Sequence, residues 1–502
     1  LHVNFNVEAM QLEYTIKEMA ALAGLPAHAL RYYEKEGLLP RVERESNGFR
    51  RYTEQDVQWL RLVCDLRDTG MPLAQIKEFT QLTQMGGSGL DKRCEILKAH
   101  CQTGREQLKQ TGQKLDRLET LLDKLAKNRR TQAEKEEISS RELEEILVRH
   151  GAEYPAMQPQ DAVKLLYQNE FGGGHIITNP ETSLRYLKEE FYQMEGQEGG
   201  SPRWESIGNG LCRLELRGLW EEALPTVNRL FAAGARQVSG DEASFRRKTE
   251  LLHKLADQGG MPFSGGKLSD YLELYWKDGC HMVSHSPEYR AAHRPAYRII
   301  PERYLECLGL FLEIDQIIRE KGRAVAAVDG RCGAGKSTFA AMLEEVYDAA
   351  VIHMDDFFLP PDLRTPERLA EPGGNVHYER FAEEVSAKIP GGGFSYRIFD
   401  CSEMTFRGKR EIPVKALTVV EGSYSLHPAA GLPCDVKIFL TCPEEVQKKR
   451  IFARSGAALY QRFLREWIPM EERYFQWAAV PEQCGWILDS AVKTGCFTPV
   501  KQ

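Results

Sequence analysis

The chain has 502 residues, 42% hydrophobic and 28% charged, with a net charge of −7, so about three globular domains are expected rather than a single core. The sequence has no run of about 18 apolar residues, which excludes a membrane-spanning helix, and it has no basic-then-apolar start typical of a secretory signal. Its 12 cysteines form no C-x-x-C pair, which predicts reduced thiols and a cytoplasmic location.

Residues 14–82 predict four short helices and a turn-rich insert. Thr15 begins the first helix with a capping box completed by Glu18, and Pro26 begins the second. Thr53 caps the third helix, and a Gly-x-Pro pattern separates it from the fourth. Residues 1–130 carry 21 Lys and Arg against 18 Asp and Glu, a net +3 that permits contact with nucleic acid without requiring it.

The second helix and the insert form a candidate DNA-binding surface. A helix pair joined by a tight turn can lay its second helix in a major groove, and here that helix carries Arg31 and Tyr32. Asn47-Gly48 predicts a tight turn whose neighbouring arginines supply donors for phosphates. By composition alone, a small structural helical domain fits these residues equally well.

Four segments carry a family resemblance: residues 14–20, 30–39, 47–52 and 66–73. With them, residues 14–82 closely resemble the MerR family of transcriptional regulators. The resemblance implies a winged helix-turn-helix, a following long helix that forms an antiparallel coiled coil in a homodimer, and promoter DNA read through its shape. The DNA contacts that it implies are Arg31, Tyr32, Arg50, Arg51 and Tyr52.

A coiled coil is predicted over residues 91–127, after a glycine-rich joint at 86–89. Its two series spaced by seven are Cys94, Cys101, Leu108, Leu115 and Leu122, and Leu97, Gly104, Thr111, Leu118 and Leu125. The charged run 127–137 predicts a linker. Cys94 and Cys101 with His100 have the chemistry of a soft-metal site, and Cys64 that of a thiol switch, but packing of these cysteines is the alternative.

The domain boundaries expected are 12–85 for DNA binding, 90–137 for the coiled coil and linker, 140–312 for a middle domain and 320–502 for a nucleotide-binding domain. The middle domain is expected to be mainly helical and carries no motif tied to chemistry. Glu170, His175, Arg290, His293 and Arg294 would form a polar pocket there if the fold brings them together. Effector binding, substrate capture and a spacer role stay open for it.

Residues 325–337 run from an apolar strand into the pattern G-x-x-x-x-G-K-[ST]. Backbone N–H groups of such a loop would cradle phosphates at a helix N-terminus, Lys336 would neutralise β- and γ-phosphate oxygens, and Ser337 would hold Mg²⁺. ATP and Mg²⁺ are therefore expected. The predicted nucleotide-binding residues are Gly330, Gly333, Gly335, Lys336, Ser337 and Thr338.

Short apolar runs at 324–328, 350–353, 416–420 and 436–440, separated by helices, predict an α/β domain with a parallel sheet. Asp355 and Asp356 follow the second run, where one could take a proton from a hydroxyl while the other orients Mg²⁺. Glu421 ends the third run, where its carboxylate could bind Mg²⁺ through a water molecule. Arg450 and Arg454, at i and i+4, could close over a phosphoryl group, and a solvated helix face is the alternative.

Together with the loop, the motifs at 355–358 and 421–422 resemble the uridine kinase and phosphoribulokinase group of P-loop kinases over about residues 322–490. The resemblance implies catalytic roles for Lys336, Asp355, Arg450 and Arg454, with Asp355 as general base, and a metal site of Ser337, Asp356 and Glu421. A base-reading histidine and a ribose-binding aspartate of uridine kinases have no counterpart here, which puts uridine as the acceptor in doubt. Another small molecule is expected to meet His377, Tyr378, Tyr396, Arg397, Asp400 and Glu403.

The sequence thus predicts a bifunctional protein, in which a dimeric DNA-binding regulator is fused to an ATP-dependent small-molecule kinase. The alternative is a transcription factor whose P-loop domain senses a nucleotide or metabolite without turnover. In a third interpretation, the middle domain is the catalytic partner and the P-loop domain its ATP motor.

Overall fold

The computed structural model of the protein describes residues 13–40, 42–44, 48–174, 179–194, 200–238, 240–401, 403–491 and 497–501. The chain divides into two compact units, Leu1–Ala133 and Glu134–Gln502. No helix in these described ranges is long and apolar enough to cross a membrane.

The first unit contains four short helices and a small antiparallel sheet. In chain order the elements are β1 (Glu13–Tyr14), α1 (Ile16–Ala23), α2 (Ala27–Lys35), β2 (Glu43–Arg44), β3 (Arg50–Thr53), α3 (Glu54–Asp68) and α4 (Leu73–Gln84). The strand order is β1-β3-β2. The Thr15–Glu18 capping box is confirmed, and Thr53 forms a second one with Asp56. The core is apolar and includes Met19, Leu30, Leu60 and Ile76.

One 64-residue helix, α5 (Leu90–Glu153), follows a short 3₁₀ turn at Gly86–Gly89. The helix includes the predicted coiled-coil residues and continues through 127–137, which the charge pattern predicts to be a linker. The segment is rich in Lys, Arg, Glu, Gln and Ala, which are good helix formers, and neither Gly nor Pro occurs between Gly112 and Gly151. The composition of that charged run is therefore compatible with uninterrupted helix.

The middle segment is mainly helical, as predicted. Its elements are α6 (Pro159–Phe171), α7 (Pro180–Gln193), β4 (Trp204–Gly208), β5 (Leu211–Glu215), α8 (Leu224–Ala235), α9 (Glu242–Asp257), α10 (Gly265–Lys277), α11 (Pro287–His293), β6 (Tyr297–Pro301), α12 (Glu302–Leu305) and α13 (Leu308–Lys321). The antiparallel sheet β4-β5-β6 is not predicted by the sequence analysis. Asn209 and Gly210 join β4 to β5 with φ of 55° and 67°, the backbone of the tight hairpin turn that an Asn-Gly pair favours.

The C-terminal segment is an α/β domain with a six-stranded sheet. Its elements are β7 (Ala324–Gly330), α14 (Lys336–Tyr347), β8 (Ala350–His353), α15 (Pro366–Ala370), α16 (Tyr378–Phe381), β9 (Phe394–Asp400), β10 (Thr405–Ile412), β11 (Leu417–Glu421), β12 (Val436–Thr441), α17 (Glu444–Arg462), α18 (Ile468–Trp477), α19 (Val480–Gln483), β13 (Trp486–Asp489) and β14 (Thr498–Lys501). The strand order is β14-β13-β12-β7-β11-β8, parallel except for β14. The four predicted strands are confirmed as β7, β8, β11 and β12, whereas the hairpin β9–β10 and the strands β13 and β14 are not predicted.

A continuous hydrophobic core joins the middle segment to the six-stranded sheet. It contains Phe231 from α8, Phe311 from α13 and Phe339 from α14, packed with residues of β7, β11 and β12. A second core includes Leu143 and Leu147 from the end of α5, with residues of α6, α9 and α10. The last turns of α5 therefore pack within the middle segment.

Candidate functional site

The phosphate-binding loop joins the carboxyl end of β7 to the N-terminus of α14. Gly330, Gly333 and Gly335 have φ of 139°, 76° and 88°, which L side chains rarely adopt. A Cβ on Gly330 would lie 2.1 Å from the carbonyl oxygen of Leu440 in β12, so no side chain fits there. The first N–H groups of a helix have no partner inside it, and the helix dipole favours phosphate at this end.

Lys336 lies across this loop. Its Nζ donates to two loop carbonyls, at 2.8 and 3.1 Å, and to Ser423 Oγ at 3.0 Å. Ser423 donates to the buried carboxylate of Glu471 at 2.6 Å, and Glu471 also accepts from the N–H of Cys332 at 2.9 Å. Ser423, just past β11, and Glu471 of helix α18 thus support the lysine and the loop together. Thr338, also predicted to bind nucleotide, is exposed in the first turn of α14 and borders a surface groove with Arg303 and Glu345.

Glu421 connects three elements of the site. It ends β11 and accepts from Ser337 Oγ at 3.2 Å, while His353 Nδ1 lies 2.6 Å from it. Glu421 and His353 are opposite each other in the parallel pair β11–β8, so the strand register itself brings them together. The hydrogen bond to Glu421 raises the pKa of His353 above its ordinary value, against the effect of burial. His353 was not predicted as a site residue.

Asp355 lies just past the end of β8, where its side chain is exposed although the surrounding protein partly desolvates the carboxyl group. This desolvation raises the pKa of the carboxyl group, and the negative charge of Glu421 raises it further. Lys336, His353 and Arg454 act in the opposite direction. All four groups therefore contribute to the electrostatic environment of this carboxylate, and a raised pKa makes it a stronger base than an ordinary aspartate.

Asp356 has different surroundings from its neighbour. Its Oδ2 accepts from the hydroxyl of Tyr396 at 2.8 Å and lies 3.3 Å from Nη1 of Arg410. Both partners belong to the hairpin β9–β10, so Asp356, predicted as a metal ligand, instead holds this hairpin. Ser337 and Glu421 retain the hard oxygen atoms that suit Mg²⁺, which uses few protein ligands. Within the described residues, no group of three or more His, Cys, Asp and Glu could hold a metal.

The two predicted arginines on α17 are held differently. Arg450 donates to the carbonyl of Gly333 at 3.2 Å and to Ser490 Oγ and O at 2.7 Å, so it supports the loop. Arg454 is exposed, and its guanidinium lies 5.5 Å from the ring of Phe463. The helix is kinked just beyond it, where Gly456 has a φ of 71°. Of the two arginines, Arg450 is thus held by hydrogen bonds to the loop and Ser490, whereas Arg454 is exposed and contacts Phe463.

The six predicted acceptor residues are engaged mainly within the protein. His377 caps α16, Tyr378 bonds with Arg368 and Glu371, Tyr396 with Asp356, and Arg397 with Glu384, while Asp400 and Glu403 pair with Arg407. Cys401 is exposed, and partial burial raises the pKa of its thiol to about 11, a rise that the charge of Arg364 opposes and that of Asp355 increases. Neither Cys401 nor Arg364 was predicted.

A buried aspartate in β7 forms hydrogen bonds at the start of the phosphate-binding loop. Asp329 in β7 accepts from the N–H of Gly330 and Leu426 and from the hydroxyl of Tyr474, at 2.7, 3.0 and 2.8 Å. Burial raises its pKa to about 6. An acidic residue inside an otherwise apolar strand is the signal from which this role could have been inferred.

The predicted DNA contacts lie on α2 and on the β2–β3 wing. Arg31 and Tyr32 are exposed on α2. Arg50 Nε bonds to Glu34 of α2 at 2.6 Å, which ties the wing to that helix, and Arg51 lies 3.6 Å from Glu13. The predicted turn residue Asn47 lies outside the described residues.

Tyr52 differs from the other four. Its side chain is fully buried, and its hydroxyl has no hydrogen-bond partner among the described residues. A side chain without exposed surface does not contact a duplex directly, so Tyr52 is a core residue instead. In the helix that follows, Cys94 and Cys101 are exposed, and His100 bonds to Thr69 Oγ1 at 3.0 Å.

A winged helix-turn-helix followed along the chain by a long helix defines a DNA-binding regulator, and the parallel sheet with its glycine loop adds a P-loop fold. Residues 14–83 match the family of MerR HTH regulatory proteins. An uncharacterized HTH-type transcriptional regulator of Haemophilus influenzae is 38% identical over 108 residues, 22% of this chain and 80% of the relative. The regulator YyaN of Bacillus subtilis, also uncharacterized, is 35% identical over 136 residues, 27% of this chain and 84% of the relative. The chain belongs to the MerR family of regulators.

The C-terminal segment has its own structural relative. A possible uridine kinase from Bacillus stearothermophilus aligns with 36% of this chain and 98% of its own, at 18% identity and a TM-score of 0.26. The assignment of the P-loop fold rests on the strand order and the glycine loop of the protein itself.

Proposed function

We propose that the protein is bifunctional: a homodimeric regulator that binds promoter DNA, and an ATP-dependent kinase for a hydroxyl of a small molecule such as a nucleoside or sugar. The proposal of a kinase is supported by four residues that lie at the carboxyl ends of β7, β8 and β11: Lys336, Ser337, Asp355 and Glu421. Ligands bind at this edge of open parallel sheets. A nucleotide sensor needs the phosphate cradle, whereas only a phosphotransferase needs the base beside it.

Each residue of this group has a chemical task. Lys336 and the loop amides would bind the β- and γ-phosphates of ATP. Mg²⁺, held by Ser337 and through water by Glu421, would supply positive charge to the phosphates. Asp355 would take the proton of the acceptor hydroxyl, since its raised pKa strengthens it as a base. Arg454 would approach the transferring group by movement about the kink at Gly456.

The regulator half rests on the first unit. Arg31, Tyr32, Arg50 and Arg51 would meet DNA, with α2 in the major groove and the wing at the phosphates. Dimerisation through α5 is supported by its exposed apolar seam. The side chains of Leu108, Leu115, Leu118, Leu122 and Leu125 are 56–74% exposed. An apolar stripe of this length and heptad spacing is typical of a helix that packs against a second copy.

A second candidate function is nucleotide sensing without turnover. Lys336 already bonds to three acceptors of the protein, and Glu421 already bonds to Ser337 and His353. To bind a nucleotide, Lys336 and Glu421 must exchange these internal hydrogen bonds for bonds to the ligand. Such an exchange changes the protein on binding, as a sensor requires.

ATP consumption by the purified full chain, across nucleosides, sugars and a metabolite extract, tests the kinase. The variants Lys336→Ala and Asp355→Asn should abolish product formation. Lys388→Ala and Asp362→Asn, exposed residues of the same kinds, serve as matched controls and should leave it unchanged. Product that survives in Asp355→Asn would remove the proposed base. ATP binding without product from any acceptor would favour the sensor, and DNA affinity would then be measured with and without ATP.

A further inference from the structure

The middle segment contains a second polar pocket, lined by no residue of the phosphate-binding loop. It has a volume of ≈130 Å³ and lies among the end of α5, the strands β4–β6 and α11. His293 and Arg294, which the sequence analysis placed in a possible polar pocket, do line it. Glu170 instead pairs with Lys248 at 2.5 Å, and His175 lies outside the described residues.

The floor of the pocket is a buried cation. Arg213 in β5 is only 2% exposed. Its Nε and Nη2 donate to Gln168 Oε1 at 3.0 and 2.7 Å, and its guanidinium lies 4.7 Å from the ring centroid of Tyr297. Its remaining nitrogen, Nη1, has only a long contact of 3.4 Å with Glu205. The Nε–Nη2 edge of the guanidinium is thus held by two hydrogen bonds to Gln168, whereas Nη1 makes the longer contact with Glu205.

A directed chain of hydrogen bonds fixes this orientation. Gln168 Nε2 donates to the hydroxyl of Tyr297 at 3.1 Å, which lies 2.7 Å from His285 Nε2, and His285 Nδ1 lies 2.8 Å from the buried Asp161. Burial lowers the pKa of His285 to about 4, so the ring is neutral. It then donates from Nδ1 to Asp161 and accepts at Nε2 from Tyr297. Arg213 is therefore preorganised before any ligand arrives.

The lining of the pocket carries an excess of positive charge. Arg213, Arg217 and Arg294 are opposed by two carboxylates, Glu205 and Glu215. Burial raises the pKa of Glu205, whereas the neighbouring charge and hydrogen bond of Arg213 act to lower it. A guanidinium fork is the group that proteins use to bind carboxylate or phosphate in bidentate fashion, and here Nη1 makes a long ion pair with Glu205 that a ligand oxyanion would replace or share.

The walls of the pocket are aromatic. Tyr154 and Tyr289 line it, with ring centroids 5.5 Å apart, and the Tyr289 hydroxyl has no hydrogen-bond partner in the described parts of the chain. For scale, an engineered apolar cavity of about 150 Å³ holds a benzene molecule. The enclosed space therefore suits a ligand body of about six heavy atoms.

We propose that this pocket binds a small organic oxyanion, with its carboxylate or phosphate group on Arg213 and a flat body against the rings of Tyr154 and Tyr289. Arg217 and Arg294 at the rim would add attraction, and Glu215 would oppose it. Tyr154 directly follows the last residue of α5, so the ligand would touch the end of the helix that leads, along the chain, from the DNA-binding region.

Calorimetric titration of the full chain with benzoate, acetate and inorganic phosphate tests the proposal. All titrations use a Lys336→Ala background, so that binding of phosphate to the loop does not contribute. We expect saturable binding that Arg217→Ala and Arg294→Ala each weaken by about tenfold, equal to about 1.4 kcal/mol. Glu215→Gln should tighten it. Arg185→Ala, which removes an exposed arginine of α7, is the matched control and should leave the affinity unchanged.

The probes distinguish the source of the oxyanion. Tighter binding of benzoate assigns the site to organic carboxylates, and tighter binding of phosphate assigns it to phosphate-bearing ligands. Absence of saturable binding by all three probes would overturn the proposal. So would affinities that are the same in Arg217→Ala and Arg294→Ala as in the parent. Because both arginines are at the rim, these variants avoid the folding defect expected on replacing the buried Arg213.

Discussion

Replacement of Asp329 by asparagine should change how the stability of the second unit depends on pH. Asp329 is fully buried in β7, where its carboxylate accepts from three backbone N–H groups, those of Gly330, Tyr424 and Leu426, and from the hydroxyl of Tyr474. Burial raises its pKa from 3.8 to about 6, although these hydrogen bonds act to lower it. The folded protein therefore binds this proton more tightly than the unfolded chain does.

The direction of the effect follows from this difference. A raised folded-state pKa contributes stability that is fully present below the unfolded pKa and is lost as pH rises through about 6. With these two values, the contribution is about 1.4 kcal/mol at a pH of about 5 and nearly zero at a pH of about 7. Asparagine does not titrate, so the Asp329→Asn variant lacks this change of stability with pH. Its amide group also places a donor where Leu426 N–H needs an acceptor, which costs about 1–3 kcal/mol at every pH.

Urea unfolding followed by tryptophan fluorescence measures the free energy of unfolding, and so both its change with pH and the constant cost of the substitution. Six of the seven tryptophans lie in the second unit, so the signal reports mainly on it. The stability advantage of the parent over Asp329→Asn should shrink by about 1.3 kcal/mol between a pH of about 5 and about 7. Asp362→Asn, an exposed control, should follow the parent throughout. Stability curves of the parent and Asp329→Asn that stay parallel over this range would refute the reasoning.

Three further predictions concern the two halves of the molecule. Ser423→Ala removes one of the three acceptors that Lys336 must exchange for a ligand, so ATP affinity in a direct titration should rise by about fivefold, or about 1 kcal/mol; an unchanged affinity would mean that the bond persists in the ATP complex. Arg31→Ala should weaken promoter binding by about tenfold and reduce its salt slope by about one, with ATP turnover intact; a loss of turnover would contradict the independence of the two activities. Leu115→Asp should convert a dimer to a monomer in sedimentation, and a dimer that persists would exclude the α5 seam as its interface.

Local patterns in the sequence predicted much of the fold. The capping box at Thr15 and the glycine loop at Gly330 each depend on residues a few positions apart, so their geometry is contained in the sequence itself. The strands of the parallel sheet were recognisable because both of their faces are buried, which requires a continuous apolar run. The sheet β4-β5-β6 lacked such runs, and its Asn209-Gly210 turn was the available signal.

Side-chain direction could not be predicted in the same way. Asp355 and Asp356 are neighbours, yet Lys336 and Glu421 act on the pKa of Asp355, whereas a hairpin distant in sequence supplies the hydrogen-bond and ion-pair partners of Asp356. Arg450 was predicted to meet a phosphoryl group but bonds to the loop backbone and Ser490. Tyr52 stands between half-buried residues of the wing strand and is itself fully buried.

The sequence by itself determined the chemical identity of both ends: a helix-turn-helix with its wing, and a loop for phosphates. Both are short motifs whose function depends on local backbone geometry. Only the tertiary structure decided that Glu421 meets His353, through the register of parallel strands 68 residues apart, and that Arg213 of β5 is held by Gln168 of helix α6. Contacts of this kind arise from packing between distant segments, and no local spacing encodes them.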